Sequence, residues 1–143
     1  MDKRKVLIPI DGTERSMHSL DFVKEIFPKG SVEITIMHVK ELLAINEMMV
    51  ADEIRIAQEL SKDILSAAKE KMKDYKTDTY FTFGYPGDEI IKKATEENIG
   101  IIVMTKSTKR GLNRLIGSVT SSVVKRAKCI VMIVPNDFSI SIR

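Results

Sequence analysis

Two short segments of the chain combine residue types that suit the binding of a phosphorylated ligand. Asp11 directly follows an apolar run, and its carboxylate suits a ribose hydroxyl or a bound Mg²⁺. Gly117 and Ser118 open a later helical pattern, and the N-terminus of a helix offers unpaired N–H groups to phosphate oxygens. Each segment also has a structural interpretation: Asp-Gly starts turns, and Gly117 can form a turn with Ser118 as the N-cap.

A concentrated basic segment precedes and includes that last helix. From position 105 to 128 the chain has seven Lys and Arg residues and no Asp or Glu, whereas the remainder has 16 basic and 20 acidic residues. A basic loop beside a helix N-terminus strengthens the anion-binding interpretation. Lys125, Arg126 and Lys128 instead suit the negative end of the helix dipole. Interleaved aromatic residues and recognised motifs are absent from the segment, so we do not expect a nucleic-acid partner.

Other chemistries find little support in the sequence. The single Cys129 excludes an internal disulfide framework and a Cys-rich zinc module. His18 and His38 are far apart and show no metal-ligand spacing, and His38 lies in an apolar segment where a buried, hydrogen-bonded histidine is expected. The serines at the start of the last helix have no histidine near them in sequence, so a hydrolase triad has no support. We therefore predict no catalytic residue and no metal site.

Length and composition predict one soluble domain. A chain of 143 residues with 43% hydrophobic and 30% charged residues fits a single globular domain over 1–135 with a tail at 136–143. The apolar runs, such as 101–104, are too short to cross a membrane. The basic start leads into only five apolar residues, too few for a signal peptide, so we expect a cytoplasmic protein.

Five short apolar segments predict β-strands over 6–10, 32–39, 77–83, 101–104 and 129–134. The first is a continuous apolar run, which is typical of a strand buried on both faces. Helical stretches separate the strands, so crossover connections and a parallel sheet are required. We expect an α/β fold: a three-layer α/β/α sandwich around a five-stranded, parallel, doubly wound sheet.

Four amphipathic segments predict the helices. The first carries apolar residues from Met17 to Phe27, and Thr13 is its predicted N-cap. The second spans 50–75, and its apolar stripe comprises Ile54, Ala57, Leu60, Ile64, Ala68 and Met72. The linker 40–49 before it is either an early start of this helix or a loop. Asp88 is placed to cap the third helix, and the fourth spans 118–127.

These elements bring the two candidate segments to one edge of the sheet. In a doubly wound sheet, ligands bind beyond the carboxyl ends of the strands, where the strand order reverses. The segments at those ends are 9–13, 39–42, 84–87 and 104–118. Asp11 and the Gly117-Ser118 pair both fall within them.

A set of short motifs, in order and with matching spacing, resembles the universal stress protein family of UspA-like domains. The motifs are Val-Leu-Ile-Pro-Ile-Asp-Gly-Thr at 6–13, Met-His-Val at 37–39, Gly-Tyr-Pro-Gly-Asp-Glu-Ile at 84–90, Ile-Ile-Val-Met at 101–104 and Gly-Leu-Asn-Arg-Leu-Ile-Gly-Ser-Val at 111–119. The resemblance implies the strand order 3-2-1-4-5, with the switch point between strands one and four. It also implies a homodimer formed through the last strand, Cys129 to Val134.

The resemblance further implies a site for ATP, with Mg²⁺, because many members of the family bind it. Gly117 and Ser118 match the pair that contacts phosphates, Asp11 matches the aspartate near the ribose, and the backbone of Val39 matches the contact to adenine. The implied site comprises Pro9, Ile10, Asp11, Val39, Met104, Thr105, Thr108, Gly117, Ser118 and Val119.

The phosphate loop of this chain departs from the family pattern. Thr105 and Thr108 stand where the family has glycines, and the spacer from Lys109 to Ile116 has eight residues where the family has nine. Threonine is stiff and β-branched, which hinders close approach of the backbone to a ligand. We therefore expect weak or altered adenine-nucleotide binding, with at most slow incidental ATP hydrolysis.

Two alternatives remain open at this point. One is an interaction module of the same family that binds no nucleotide. A receiver-type signalling domain is more remote, because it needs an acidic cluster after strand one and an aspartate at the end of strand three. This chain offers Asp11 alone at the first place and Phe83-Gly84 at the second.

Overall fold

Nine elements alternate along the chain in the predicted order. A computed structural model describes residues 3–41, 47–106 and 117–135. Its strands are β1 (Arg4–Pro9), β2 (Val32–Lys40), β3 (Lys76–Phe83), β4 (Ile101–Thr105) and β5 (Ile130–Val134). Its helices are α1 (Glu14–Ile26), α2 (Glu47–Lys71), α3 (Pro86–Glu96) and α4 (Ser118–Arg126).

The five strands form one parallel sheet in the order β3-β2-β1-β4-β5, which confirms the predicted architecture. β1 pairs with β2 along its whole length, from Arg4 to Pro9. It pairs with β4 only through Val6–Ile101 and Leu7–Ile102. The recorded pairing of β1 with β4 therefore stops short of their carboxyl ends, at the point where the strand order reverses. In doubly wound sheets the ligand crevice lies at such a point.

Two apolar layers hold the helices on the sheet. Val6 and Ile8 of β1 pack with α1 and α2 on one face, whereas Leu7 packs with α3 and α4 on the other. All three side chains are fully buried, which explains the continuous apolar run at the start of the chain.

The predicted stripe of α2 is wrong at one position. Ala57, Ala68 and Met72 are buried as expected, but Leu60 is 57% exposed. The neighbouring Ser61 takes the inward position and is 1% exposed. A hydrogen bond between Ser61 and His38 of β2 stabilises the polar side chain of Ser61 at this buried position. An apolar pattern alone does not reveal such a contact.

The helix starts are partly as predicted. Thr13 caps α1, since its Oγ1 accepts a hydrogen bond from Ser16 N at 3.1 Å, which confirms that prediction. The assignment of Asp88 as a cap is wrong: α3 starts earlier, with Tyr85 as N-cap and Pro86 in the first turn. Proline favours the first helical position because it has no N–H to leave unpaired.

Three predicted features fall wholly or partly outside the described residues. They are the first part of the linker before α2, the loop that contains Thr108, and the tail at 136–143. The linker's end belongs to α2, which begins at Glu47. Within the described ranges, no helix is long and apolar enough to cross a membrane.

Candidate functional site

The end of β1 places Asp11 at the carboxyl edge of the sheet. Ile10 N still donates to Met37 O at 2.8 Å, so Asp11 is the first residue beyond the ladder, and it is exposed. Its Oδ1 accepts hydrogen bonds from Thr13 N at 2.9 Å and Thr13 Oγ1 at 2.7 Å. The turn interpretation of Asp11 is thus confirmed, and the same turn fixes a carboxylate at the mouth of the crevice.

Gly12 makes that turn compatible with the packing of α2. Its φ is +87°, a region that L side chains rarely adopt. A Cβ at this position would lie 2.8 Å from Cδ1 of Ile64 on α2. Both the backbone conformation and the space available therefore require glycine directly after Asp11.

A buried histidine lies next to the same carboxylate. His38 is 7% exposed, and its Nδ1 is 2.9 Å from Oγ of Ser61, while its ring stacks on Phe81. Burial lowers the pKa of His38 below 6.5, and Lys40 lowers it further, whereas the charge of Asp11 raises it. His38 is therefore neutral at pH 7, and the prediction of a buried, hydrogen-bonded histidine is confirmed.

The pairing of His38 with Ser61 was not predicted from the sequence. The two residues are 23 positions apart, on a strand and on a helix. The available signal was the serine at position 61. The apolar periodicity assigned the inward position to its neighbour, Leu60.

The end of β4 is tied directly to the start of α4. Met104 and Thr105 are buried, and Thr105 O accepts a hydrogen bond from Thr120 Oγ1 at 3.2 Å. Lys106 O accepts one from Gly117 N at 3.1 Å. The chain therefore leaves β4 and enters α4 at nearly the same place, which brings the glycine of the candidate segment to the edge of the crevice.

The N-terminus of α4 is set up for an anion. Gly117 is the N-cap, with φ −63° and ψ 162°, and no side chain from the described part of the chain caps the helix. The first turn contains no acidic residue, and Ser118 is exposed. The first N–H groups and the positive end of the dipole thus suit an anion, with no competing carboxylate from the first turn of this helix. Because α4 begins at Ser118 and Gly117 is its N-cap, the prediction of Ser118 as the N-cap is wrong.

Val39 completes the carboxyl edge. It is half-buried near the end of β2, where Lys40 O accepts a hydrogen bond from Gly84 N at 3.1 Å. Thr108 of the predicted site lies outside the described residues. The structure brings the described members of that site to this one edge: Pro9, Ile10, Asp11, Val39, Met104, Thr105, Gly117, Ser118 and Val119. No cluster of three or more His, Cys, Asp or Glu side chains suitable for a metal ion occurs among the described residues.

Sequence comparison decides the family. The model of the universal stress protein family matches residues 3–135. The chain belongs to the universal stress protein family. The match covers all five strands and four helices, together with the crevice between β1 and β4.

Relatives and solved structures agree with this membership of the universal stress protein family. Universal stress protein YxiE of Bacillus subtilis is 31% identical over 146 residues, which cover 91% of this chain and 97% of the relative. The solved structure of protein MJ0577, a universal stress protein of Methanocaldococcus jannaschii, has a TM-score of 0.83 at 26% identity and covers 97% of this chain and 100% of that one. A universal stress protein solved in complex with cAMP has a TM-score of 0.73 at 20% identity and covers 96% of this chain and 100% of that one. The last likeness shows a shared fold.

Proposed function

We propose that this universal stress protein binds an adenine nucleotide in the crevice between β1 and β4, weakly where the ligand is ATP. One observation carries the proposal: Asp11, Val39 and the N-terminus of α4, which no side chain from the described residues caps, all lie at the carboxyl edge of the sheet, at or beside the switch point. The solved relative that holds cAMP supports the choice of an adenine nucleotide. The protein acts as a cytoplasmic module in stress response or signalling, not as an enzyme.

Each part of the crevice has a role in this proposal. Asp11 accepts hydrogen bonds from ribose hydroxyls, and the backbone of Val39 meets the adenine. The first N–H groups of α4, at Ser118 and Val119, bind a phosphate. Pro9, Ile10 and Met104 supply apolar walls. Mg²⁺ fits only in company with nucleotide phosphates, because the site offers Asp11 as its carboxylate and Mg²⁺ usually combines one or two carboxylates with phosphates and water.

The affinity depends on how many phosphates the ligand carries. A single phosphate needs only the start of α4, whereas a triphosphate needs additional donors from the loop after β4. In this chain that loop follows the buried Thr105, the last residue of β4, whose β-branched side chain stands where the family has a glycine and hinders close approach of the backbone to phosphate. We therefore propose that AMP or cAMP binds at least as well as ATP.

Calorimetry with ATP and Mg²⁺, AMP and cAMP tests the proposal. We expect the wild type to bind AMP or cAMP and to bind ATP more weakly. Gly117→Val should lose the binding of all these nucleotides. That variant should fold, since valine adopts the φ and ψ of Gly117 without strain. The control is Gly100→Ala, whose added Cβ makes only ordinary contacts at the opposite edge of the sheet. Micromolar ATP affinity would contradict the weakened triphosphate site, and absence of all nucleotide binding would favour an interaction module.

We also propose a homodimer through the last strand, Cys129 to Val134. In the described sheet β5 pairs only with β4, and its first residue, Ile130, is 57% exposed. Ile130 N donates to Gly100 O, and Val134 O accepts from Lys106 N, so the alternation directs the backbone groups of Ile133 away from β4. An apolar edge of this kind requires cover, and a second copy supplies it.

Sedimentation of Ile133→Pro tests the dimer. Proline removes an outward N–H while the ladder to β4 remains, so we expect a monomer where the wild type and the Ile133→Val control are dimers. A monomeric wild type at tens of micromolar, or a dimeric Ile133→Pro with native circular dichroism, would contradict this interface.

A further inference from the structure

Tyr85 caps α3 through its backbone, but its exposed aromatic side chain has no structural contact among the described residues. The other two tyrosines have one: Tyr75 OH donates to Phe27 O at 2.6 Å, and the Tyr80 ring holds Lys93 Nζ at 3.9 Å from its centre. Tyr85 is 73% exposed, and within the described ranges its ring has no recorded aromatic, cationic or hydrogen-bonding partner. An exposed ring beside a ligand crevice is a candidate for contact with the ligand.

Two contacts fix Tyr85 at the rim of the crevice. The preceding residue, Gly84, follows β3 and donates its N–H to Lys40 O, so Tyr85 lies beyond the end of β3 and close to the end of β2. Two residues later, a Cβ added to Gly87 would lie 2.9 Å from Ser122 Oγ, so α3 and α4 nearly touch. Ser122 is one turn from the start of α4. Tyr85 therefore lies between the strand end assigned to the base and the helix start assigned to the phosphate.

The charges of the two helix starts decide which part of a nucleotide lies near Tyr85. The first turn of α3 carries Asp88, which is ion-paired with Arg126, and Glu89, whose carboxylate repels phosphate. The first turn of α4 carries no acid. The phosphate is thus directed to α4, and the uncharged base is left for the side of the crevice on which Tyr85 stands.

We infer that Tyr85 is a specificity-determining residue that stacks on the base of the bound nucleotide, an inference that rests on the proposed nucleotide site. Stacking on the uncharged Tyr85 ring depends on the area of the base's π-face and not on the pattern of its hydrogen-bonding groups. Tyr85 therefore makes the site prefer purine over pyrimidine nucleotides.

Calorimetry with AMP, CMP and ribose 5-phosphate tests this role. We expect Tyr85→Ala to weaken the binding of AMP roughly thirtyfold, the mid-range of stacking on one base, and to narrow the preference of the site for AMP over CMP. Ribose 5-phosphate, which has no base, should bind Tyr85→Ala and wild type equally. Tyr85→Phe keeps the ring and should stay within about twofold of wild type. Leu60→Ala is the matched control, since Leu60 is 57% exposed on a different helix.

The outcomes separate this inference from the proposed function. If the wild type binds none of these compounds, the nucleotide site itself fails, and the role of Tyr85 fails with it. If the wild type binds AMP and Tyr85→Ala binds it equally, or loses AMP and ribose 5-phosphate in parallel, the role of Tyr85 alone is overturned.

Tyrosine emission gives a second readout should Tyr85→Ala not fold. The chain has three tyrosines and no tryptophan, so the emission reports tyrosine alone. AMP should protect the wild-type emission from iodide quenching, and Tyr85→Phe should bind AMP without that protection. Unchanged quenching of the wild type at saturating AMP would overturn the inference.

Discussion

Substitution of Gly12 tests how α2 fixes the turn that carries Asp11. Alanine at this position meets two separate penalties. The φ of +87° costs an L-residue about 1–2 kcal/mol. The added Cβ lies 2.8 Å from Ile64 Cδ1 and 3.1 Å from Ile64 Cγ1, and overpacking of this kind costs roughly 1–3 kcal/mol. We therefore expect Gly12→Ala to lower the free energy of unfolding by about 2–5 kcal/mol.

Gly30 provides a matched control for the backbone penalty. Its φ is +83°, close to that of Gly12, but a Cβ there would meet nothing within 4 Å. Gly30→Ala should therefore show the conformational penalty alone, and the difference between the two variants measures the contact with Ile64.

Urea denaturation of five chains tests this packing: wild type, Gly12→Ala, Gly30→Ala, Ile64→Val, and Gly12→Ala combined with Ile64→Val. Valine lacks Cδ1, the nearest atom, so the double variant should recover part of the steric penalty, beyond the cost of Ile64→Val measured alone. If Gly12→Ala costs no more than Gly30→Ala, or if Ile64→Val gives no recovery, the packing of α2 on this turn is not as described.

Two further predictions follow from titratable groups. The pKa of His38 is lowered in the folded state, so as the pH falls through 6.5 its imidazole is protonated in the unfolded chain before it is protonated in the folded chain. The free energy of unfolding should therefore decrease in that pH range. Urea unfolding at several pH values should show a shallower decrease in His38→Gln; an identical slope would refute the assignment. Burial raises the pKa of the Cys129 thiol, so at neutral pH it should react with a disulfide reagent more slowly than free cysteine, and a faster reaction would contradict the described burial.

Local signals predicted most of the fold. Four of the strands in the described sheet are short, mainly apolar segments, and β3 is a run rich in threonine and aromatic residues. Such segments can be recognised without knowledge of their partners. Thr13 was identified as a cap because the capping contact spans only three residues. The position of Asp11 followed from the same kind of signal, since the end of a buried strand marks the carboxyl edge of the sheet.

The features that were missed depend on contacts between distant segments. Ser61 faces inward because of His38, and that preference overrides the apolar pattern that pointed to Leu60. The start of α3 was placed too late because Asp88 has a capping side chain, whereas the structure uses Tyr85 before Pro86. The place of Tyr85 between β2 and α4 depends on two tertiary contacts and has no sequence signature.

The central claim is that an adenine nucleotide occupies the crevice between β1 and β4. Backbone amide shifts in an NMR titration with AMP test it at the level of single residues. The largest changes should fall on Asp11, Val39, Ser118 and Val119, all at the carboxyl edge of the sheet. Changes confined to the opposite edge, around Lys5, Glu33 and Lys76, or no changes at millimolar AMP, would contradict the account.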